Sequence, residues 1–229
     1  MEYAAEYAKY IPRVMEILSR ESPNFVTPAL TKISKQSRSP FKVLISCILS
    51  LRTKDEVTAE ASKRLYALAE TPEEMVKLAT KQIAKAIYPV GFYKTKSKRI
   101  KEICRRLISE FNSRVPADFG MLLTFKGVGR KTASIVMIYA FGKSGYLAID
   151  THCNRIPNRL GWINTKTPEK TEVELKKILP KRYWKDFNNL FVQFGQNICK
   201  PVGPKCNICP VSRYCKYYKE IYLPRKKVI

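Results

Sequence analysis

Four cysteines near the end of the chain make the densest chemical signal in this sequence. Cys199, Cys206, Cys209 and Cys215 follow C-x6-C-x2-C-x5-C and fall within 17 residues. Thiols gathered this closely read as metal ligands. With only one C-x2-C pair, the spacing leaves zinc and an iron–sulfur cluster equally open. A second signal is Phe125-Lys126-Gly127-Val128-Gly129-Arg130-Lys131-Thr132-Ala133. Two glycines flanking an apolar residue let the backbone turn sharply and approach another chain. The amides after Gly129 would open a helix, where free N–H groups and the dipole favour an anion such as phosphate. The spacing is not that of a P-loop, and the alternative is an ordinary corner between helices with a glycine cap. Lys131 falls in the first turn of the second helix, where the dipole favours an uncharged amine and so a nucleophile. It is nonetheless one of 43 basic residues. A third signal is Ala148-Ile149-Asp150-Thr151-His152-Cys153-Asn154-Arg155. Asp150 ahead of a helical run is first an N-cap candidate. His152 is the only histidine, which excludes a two-histidine metal site, and it reads as structural.

The elements that must hold these residues are helices, because strand signals are nearly absent. Thr71-Pro72-Glu73-Glu74 predicts an N-cap, a proline at the first helical position and a capping-box glutamate before a helix over Met75–Ile87. Thr167-Pro168 starts another, with apolar Val173, Leu175, Ile178 and Leu179. Phe41–Leu51 is apolar nearly all round, as in a helix at the centre of a bundle. Ser97–Phe111 places Ile100, Ile103, Leu107 and Ile108 on one side. Apolar helical stretches over Met121–Phe125 and Ala133–Phe141 flank the glycine turn. The expected fold is all-α with short connections.

Charge narrows the class of partner. The 229 residues carry 43 Lys and Arg against 19 acids, a formal net charge of +24. Such an excess binds polyanions, nucleic acid first and an anionic membrane surface next. Thermophilic surfaces usually gain acids together with lysine, and here the acids have not followed. Two stretches concentrate the charge: Lys94–Arg106, seven basic residues against Glu102, and Cys199–Ile229, eight against Glu220. Either could equally be a solvated face. Val43–Leu51 and Ala133–Gly142 are too short to span a bilayer. Met1–Glu6 lacks a secretory pattern. The expectation is an intracellular protein, cytoplasmic or at the nucleoid, without membrane contact and monomeric. In that compartment seven cysteines are not a disulfide framework.

Gly127-Val128-Gly129-Arg130-Lys131-Thr132-Ala133 resembles the helix–hairpin–helix of the endonuclease III family of DNA glycosylases. Phe125-Lys126 stands in place of the usual Leu-Pro. Ala148-Ile149-Asp150-Thr151-His152 is similar to the family's catalytic aspartate motif. Phe41–Asp55 resembles its first core helix and following loop, and Gly91-Phe92-Tyr93 its duplex-wedging loop. The four-cysteine spacing is that of its [4Fe–4S] cluster, and Phe194-Gly195 and Lys205-Cys206 fit it. The likeness runs over roughly residues 10–220.

What the resemblance implies is specific. Lys131 would attack C1′ to give a Schiff base, with Asp150 assisting its deprotonation and stabilising positive charge on the sugar. β-Elimination would then cut the strand. Gly127, Val128, Gly129, Arg130 and Thr132 would hold DNA. Arg52, where many relatives carry glutamine, would fill the gap left by the flipped base. Phe92 would be the wedge, although by itself it reads equally as core. Adenine-specific relatives place a catalytic glutamate at the position of Cys47 and lack the lysine, and the thymine–guanine mismatch branch often has tyrosine for it. Cys47, Cys104 and Cys153 read as packing residues. The implied architecture is two helical domains, residues 33–143 with six helices and the hairpin, and 1–32 with 144–229 around the cluster, with the active site in the cleft between them. The implied substrate is double-stranded DNA containing damaged bases or abasic sites, with oxidised pyrimidines removed. The alternatives are a uracil/thymine mismatch glycosylase and a non-catalytic DNA-binding module with a structural metal.

Overall fold

The structure, a computed structural model, describes residues 6–37 and 39–226. Most of the Met1–Glu6 segment, and Lys227 to Ile229 of the second basic stretch, lie outside the described residues. In chain order the helices are α1 (Ile11–Glu21), α2 (Ala29–Ser37), α3 (Pro40–Ser50), α4 (Asp55–Tyr66), α5 (Pro72–Lys77), α6 (Thr80–Ile87), α7 (Tyr93–Phe111), α8 (Phe119–Thr124), α9 (Arg130–Tyr139), α10 (Thr151–Leu160), α11 (Pro168–Ile178), α12 (Trp184–Asn197) and α13 (Leu223–Lys226). No strand occurs among the described residues. The chain divides into two compact units. One is Pro28–Lys143, and the other joins the described residues before and after it.

In the 28–143 unit, α3 is the central element. Ser39 caps it by accepting from the Lys42 amide at 3.4 Å. Phe41, Val43, Leu44, Ile45, Cys47, Ile48 and Leu49 are all buried, so the helix is surrounded by protein, as its unbroken apolar run requires. The capping box forms as expected: Thr71 Oγ1 accepts from Glu74 N at 3.2 Å and Glu74 Oε2 from Thr71 N at 3.3 Å. The helix expected over Met75–Ile87 is, however, two helices, α5 and α6, parted at Leu78 and Ala79. Gln82 Oε1 accepts from Ala79 N at 2.7 Å and so caps a new start within a continuous apolar pattern. Along α7, Ile100, Ile103 and Leu107 are buried while Ile108 stays partly exposed.

In the other unit, α1, α10, α11 and α12 close around Trp162, Phe187, Phe191 and Phe194. The Phe187 and Phe191 rings stack with centroids 4.1 Å apart. Full burial of each such side chain stabilises the fold by roughly 1.5–3 kcal/mol. Thr167 caps α11 as expected, but Val173 faces solvent and Leu175 carries the packing.

Helices α10 and α12 approach very closely at Gly195. A Cβ there would lie 2.1 Å from His152 Nδ1 and 2.9 Å from its Cγ. Since Cγ is the root of the ring, the histidine could not evade it without moving. Gly195→Ala is therefore expected to destabilise this unit by about 1–3 kcal/mol, the usual cost of overpacking. Thermal unfolding tests this, and an unchanged melting temperature would contradict the close-packing role.

Candidate functional site

The glycine turn is built as its residues demand. Asp118 caps α8 by accepting from Met121 N at 2.7 Å. Phe125 and Val128 are buried, and Val128 N donates to Phe125 O at 2.9 Å, closing the turn. Gly127 adopts φ +86°, open to glycine and costly to other residues. Gly129 is the N-cap of α9, whose first ladder bond runs from Ala133 N to Gly129 O at 2.9 Å. The amides of Arg130, Lys131 and Thr132 stand ahead of that ladder, where helix starts accept anions. Val128 and Thr132 are buried, so what they offer a ligand is backbone, whereas Gly129 and Arg130 are exposed.

Lys131 is half-buried in the first turn of α9. It lies close enough to Cys47 for its charge to act on that thiol. Burial pushes Cys47 up to about 12, with Lys131 working in the opposite direction. Cys47 on α3 therefore neighbours the lysine. In the other unit, Asp150 is the N-cap of α10, its Oδ1 accepting from Cys153 N at 2.8 Å. The bond uses one carboxylate oxygen.

Arg52 and Phe92 are both exposed, Phe92 by 63%, which rules out a core role for the phenyl ring. Both adopt left-handed backbone, φ +51° and +58°, and the guanidinium lies 5.8 Å from the ring centroid. A residue the basic-stretch reading treated as one more surface cation explains how these turns are held. Lys96 is only 3% exposed. Its Nζ donates to Leu49 O at 2.9 Å, to Leu51 O at 2.5 Å and to Thr53 Oγ1 at 3.2 Å. Burial, with Arg99 adding repulsion, lowers it to about 8. The signal was present in the spacing, because Lys96 precedes Ile100 by one turn on the buried face of α7. Arg106 is tied down too, though at the surface, to Glu110 and to Thr124 O at 2.9 Å. The first basic stretch thus presents fewer free cations than its count of seven suggests.

The four cysteines share one cavity. Cys199 follows the end of α12, Cys206 opens one 3-10 turn and Cys215 follows another. All four line one small cavity, with Ile156, Leu160 and Val211 among its apolar walls. Burial pushes Cys209 up to about 12 and Cys215 up to about 11, and the neighbouring thiols add to both rises. Four thiolates are therefore unfavourable there unless a cationic group neutralises them, and this donor set fits a thiolate-bound metal group. Arg159 Nη1 donates to Cys199 Sγ at 3.5 Å and to Lys200 O at 2.6 Å. No group of three His, Cys, Asp or Glu poised to hold a single metal ion occurs among the described residues. Cys47, Cys104 and Cys153 are buried and do not line that cavity, as packing residues. None of the described helices is long and apolar enough to cross a membrane.

Comparison with known proteins gives this geometry its context. Residues 45–181 match the HhH-GPD superfamily of base excision DNA repair proteins. An endonuclease III of Thermotoga maritima is 47% identical over 180 residues, covering 79% of this chain and 84% of that one. An endonuclease III of Rickettsia conorii is 36% identical over 211 residues, covering 92% and 97% respectively. A solved trapped covalent intermediate of endonuclease III with DNA, an estranged-adenine complex, superposes with a TM-score of 0.82 at 30% identity, covering 93% of this chain and 97% of that one. The cysteine pattern, the glycine turn and the capping aspartate thus stand in a chain that belongs to the endonuclease III family, within the HhH-GPD superfamily of base excision DNA repair proteins.

Proposed function

We propose that this chain binds duplex DNA, removes oxidised pyrimidines and cuts the strand at the resulting abasic site, with Lys131 as nucleophile. Membership of the family makes it a DNA glycosylase with lyase activity of base excision repair. The proposal concerns which residues act and on what. The observation that carries it is Lys131 itself, half-buried at the start of α9 directly after the Gly127–Gly129 turn. Backbone amides at that turn can hold a phosphate, so the same element grips the strand and presents the amine.

The neutral Lys131 amine attacks C1′, the bond from C1′ to the base breaks, and the base leaves with the electron pair and takes up a proton. The nitrogen lone pair then expels O4′, which takes up the proton that the amine gave up, and the opened sugar is left as an iminium linkage that keeps the last amine proton. Loss of a C2′ proton then expels the 3′ phosphate, and water releases the lysine. Asp150 supplies the carboxylate that takes up the lysine proton and stabilises positive charge on the sugar. The solved covalent intermediate of a relative supports a covalent route. Lysine at 131 supports the lyase reading over a thymine-mismatch glycosylase, whose relatives often carry tyrosine there. Cys199, Cys206, Cys209 and Cys215 would hold a [4Fe–4S] cluster, which would supply a rigid cross-link that fixes the loop between the first two ligands. The cavity walled by all four thiols supports that assignment.

Borohydride reduction in the presence of abasic-site duplex tests the proposal. A protein–DNA adduct is expected, and its absence would sink the lysine mechanism. Asp150→Asn keeps a side chain able to cap α10, so lesion binding should persist while turnover falls at least about a hundredfold, the usual worth of a general base. Single-turnover kinetics beside a binding titration checks this, and an equally active variant would refute the role.

A further inference from the structure

Lys96 is the one buried lysine or arginine among the described residues, and the chemistry above does not use it. Its three bonds go to the C-terminal carbonyls of α3 and to the Thr53 hydroxyl. That hydroxyl is saturated in turn: it accepts from Lys96 Nζ and from Gly91 N at 3.1 Å and donates to Leu51 O at 3.2 Å. The segment so gripped carries Arg52, and Gly91 immediately precedes Phe92. The two turns also touch directly, since a Cβ on Gly91 would lie 2.5 Å from Arg52 O. Left-handed backbone at non-glycine residues persists only where the surroundings overdetermine it. Here it occurs twice, at the two exposed side chains that Lys96 and Thr53 tie together.

We propose that Lys96 and Thr53 are positioning residues for base extrusion, locking the Arg52 and Phe92 turns into one preformed element so that both side chains enter the duplex together. This rests on the glycosylase reading and on the DNA-facing roles given to Arg52 and Phe92. A plain helix cap would serve stability alone. A positioning pair serves the step in which a base leaves the stack, where preset geometry lowers the ordering cost of binding.

The test compares two substrates with the full-length protein. One is a duplex bearing thymine glycol beside 2-aminopurine, whose fluorescence reports unstacking. The other is a single-stranded oligonucleotide with an abasic site, which has no base to extrude and no partner strand. Lys96→Met keeps the aliphatic stem and removes the three donors. The fluorescence rise on the duplex is expected to slow about ten- to a hundredfold, the worth of hydrogen bonds to a charged group. Borohydride trapping on the single strand should stay near the wild-type rate. Equal losses on both substrates, or no loss on the duplex, would overturn the proposal. If Lys96→Met does not fold, Thr53 decides: Thr53→Val should reproduce the duplex-specific defect and Thr53→Ser should restore extrusion. Equal extrusion by the two variants would overturn it. A wild-type protein trapped on neither substrate would instead remove the glycosylase reading, and this inference with it.

Discussion

Lys131→Ala should abolish borohydride capture on abasic-site DNA and lower strand cleavage by at least about a thousandfold, as loss of a covalent nucleophile does elsewhere. The fold should survive. Lys131 is half-buried in the first turn of α9, while the helix is anchored by Ala133, Ile135 and Val136. Alanine also has the highest helix propensity. Removing the amine leaves Gly127, Gly129 and the amides after them in place, so affinity for DNA should change far less than catalysis. That contrast identifies a nucleophile rather than one more phosphate contact. An adduct of normal yield with the alanine variant would move the chemistry to another amine and undo the assignment.

The second large effect concerns the cysteine cavity. Purified protein is expected to carry iron and acid-labile sulfide in equal amounts. Cys206→Ala should lose both and unfold the segment from Cys199 to Cys215 at ordinary temperature. Short 3-10 turns and a small apolar lining hold that segment. Ligand bonds are worth on the order of 10 kcal/mol in small metal-stabilised folds, more than such turns supply. Cys104→Ala is the control: Cys104 is buried on α7 in the other unit and should keep the full metal content. Elemental analysis and visible absorption read the result. Colourless protein with zinc and no iron would reverse the choice of metal, and full iron in Cys206→Ala would remove Cys206 as a ligand.

What could be read from sequence was local, and what could not was long-range. The buried α3, the capping box at Thr71 and the cap at Thr167 follow from residues within one or two turns of each other. The break between α5 and α6 escaped because the apolar pattern from Met75 to Ile87 runs on through it, while the Gln82 side chain makes the new start. Cysteine spacing announced a metal site, but the Arg159 contact to Cys199 spans 40 residues and leaves no mark in the spacing. Lys96 was counted with its charged neighbours although its register with Ile100 and Ile103 places it inside. Left-handed backbone at Arg52 and Phe92 had no signal at all, since neither is a glycine.

The division of the chain also sets an order of assembly. Pro28–Lys143 is continuous in sequence, so its core can close as soon as that stretch has left the ribosome. Helix α1 precedes that stretch, yet its buried Ile11, Val14, Met15 and Leu18 pack with Trp162 and the aromatic residues of α12. It must wait for more than a hundred further residues before that core can close around it. During synthesis α1 thus finds its partners only after the Pro28–Lys143 stretch has been made, and the unit that carries the four cysteines is the later of the two to be completed.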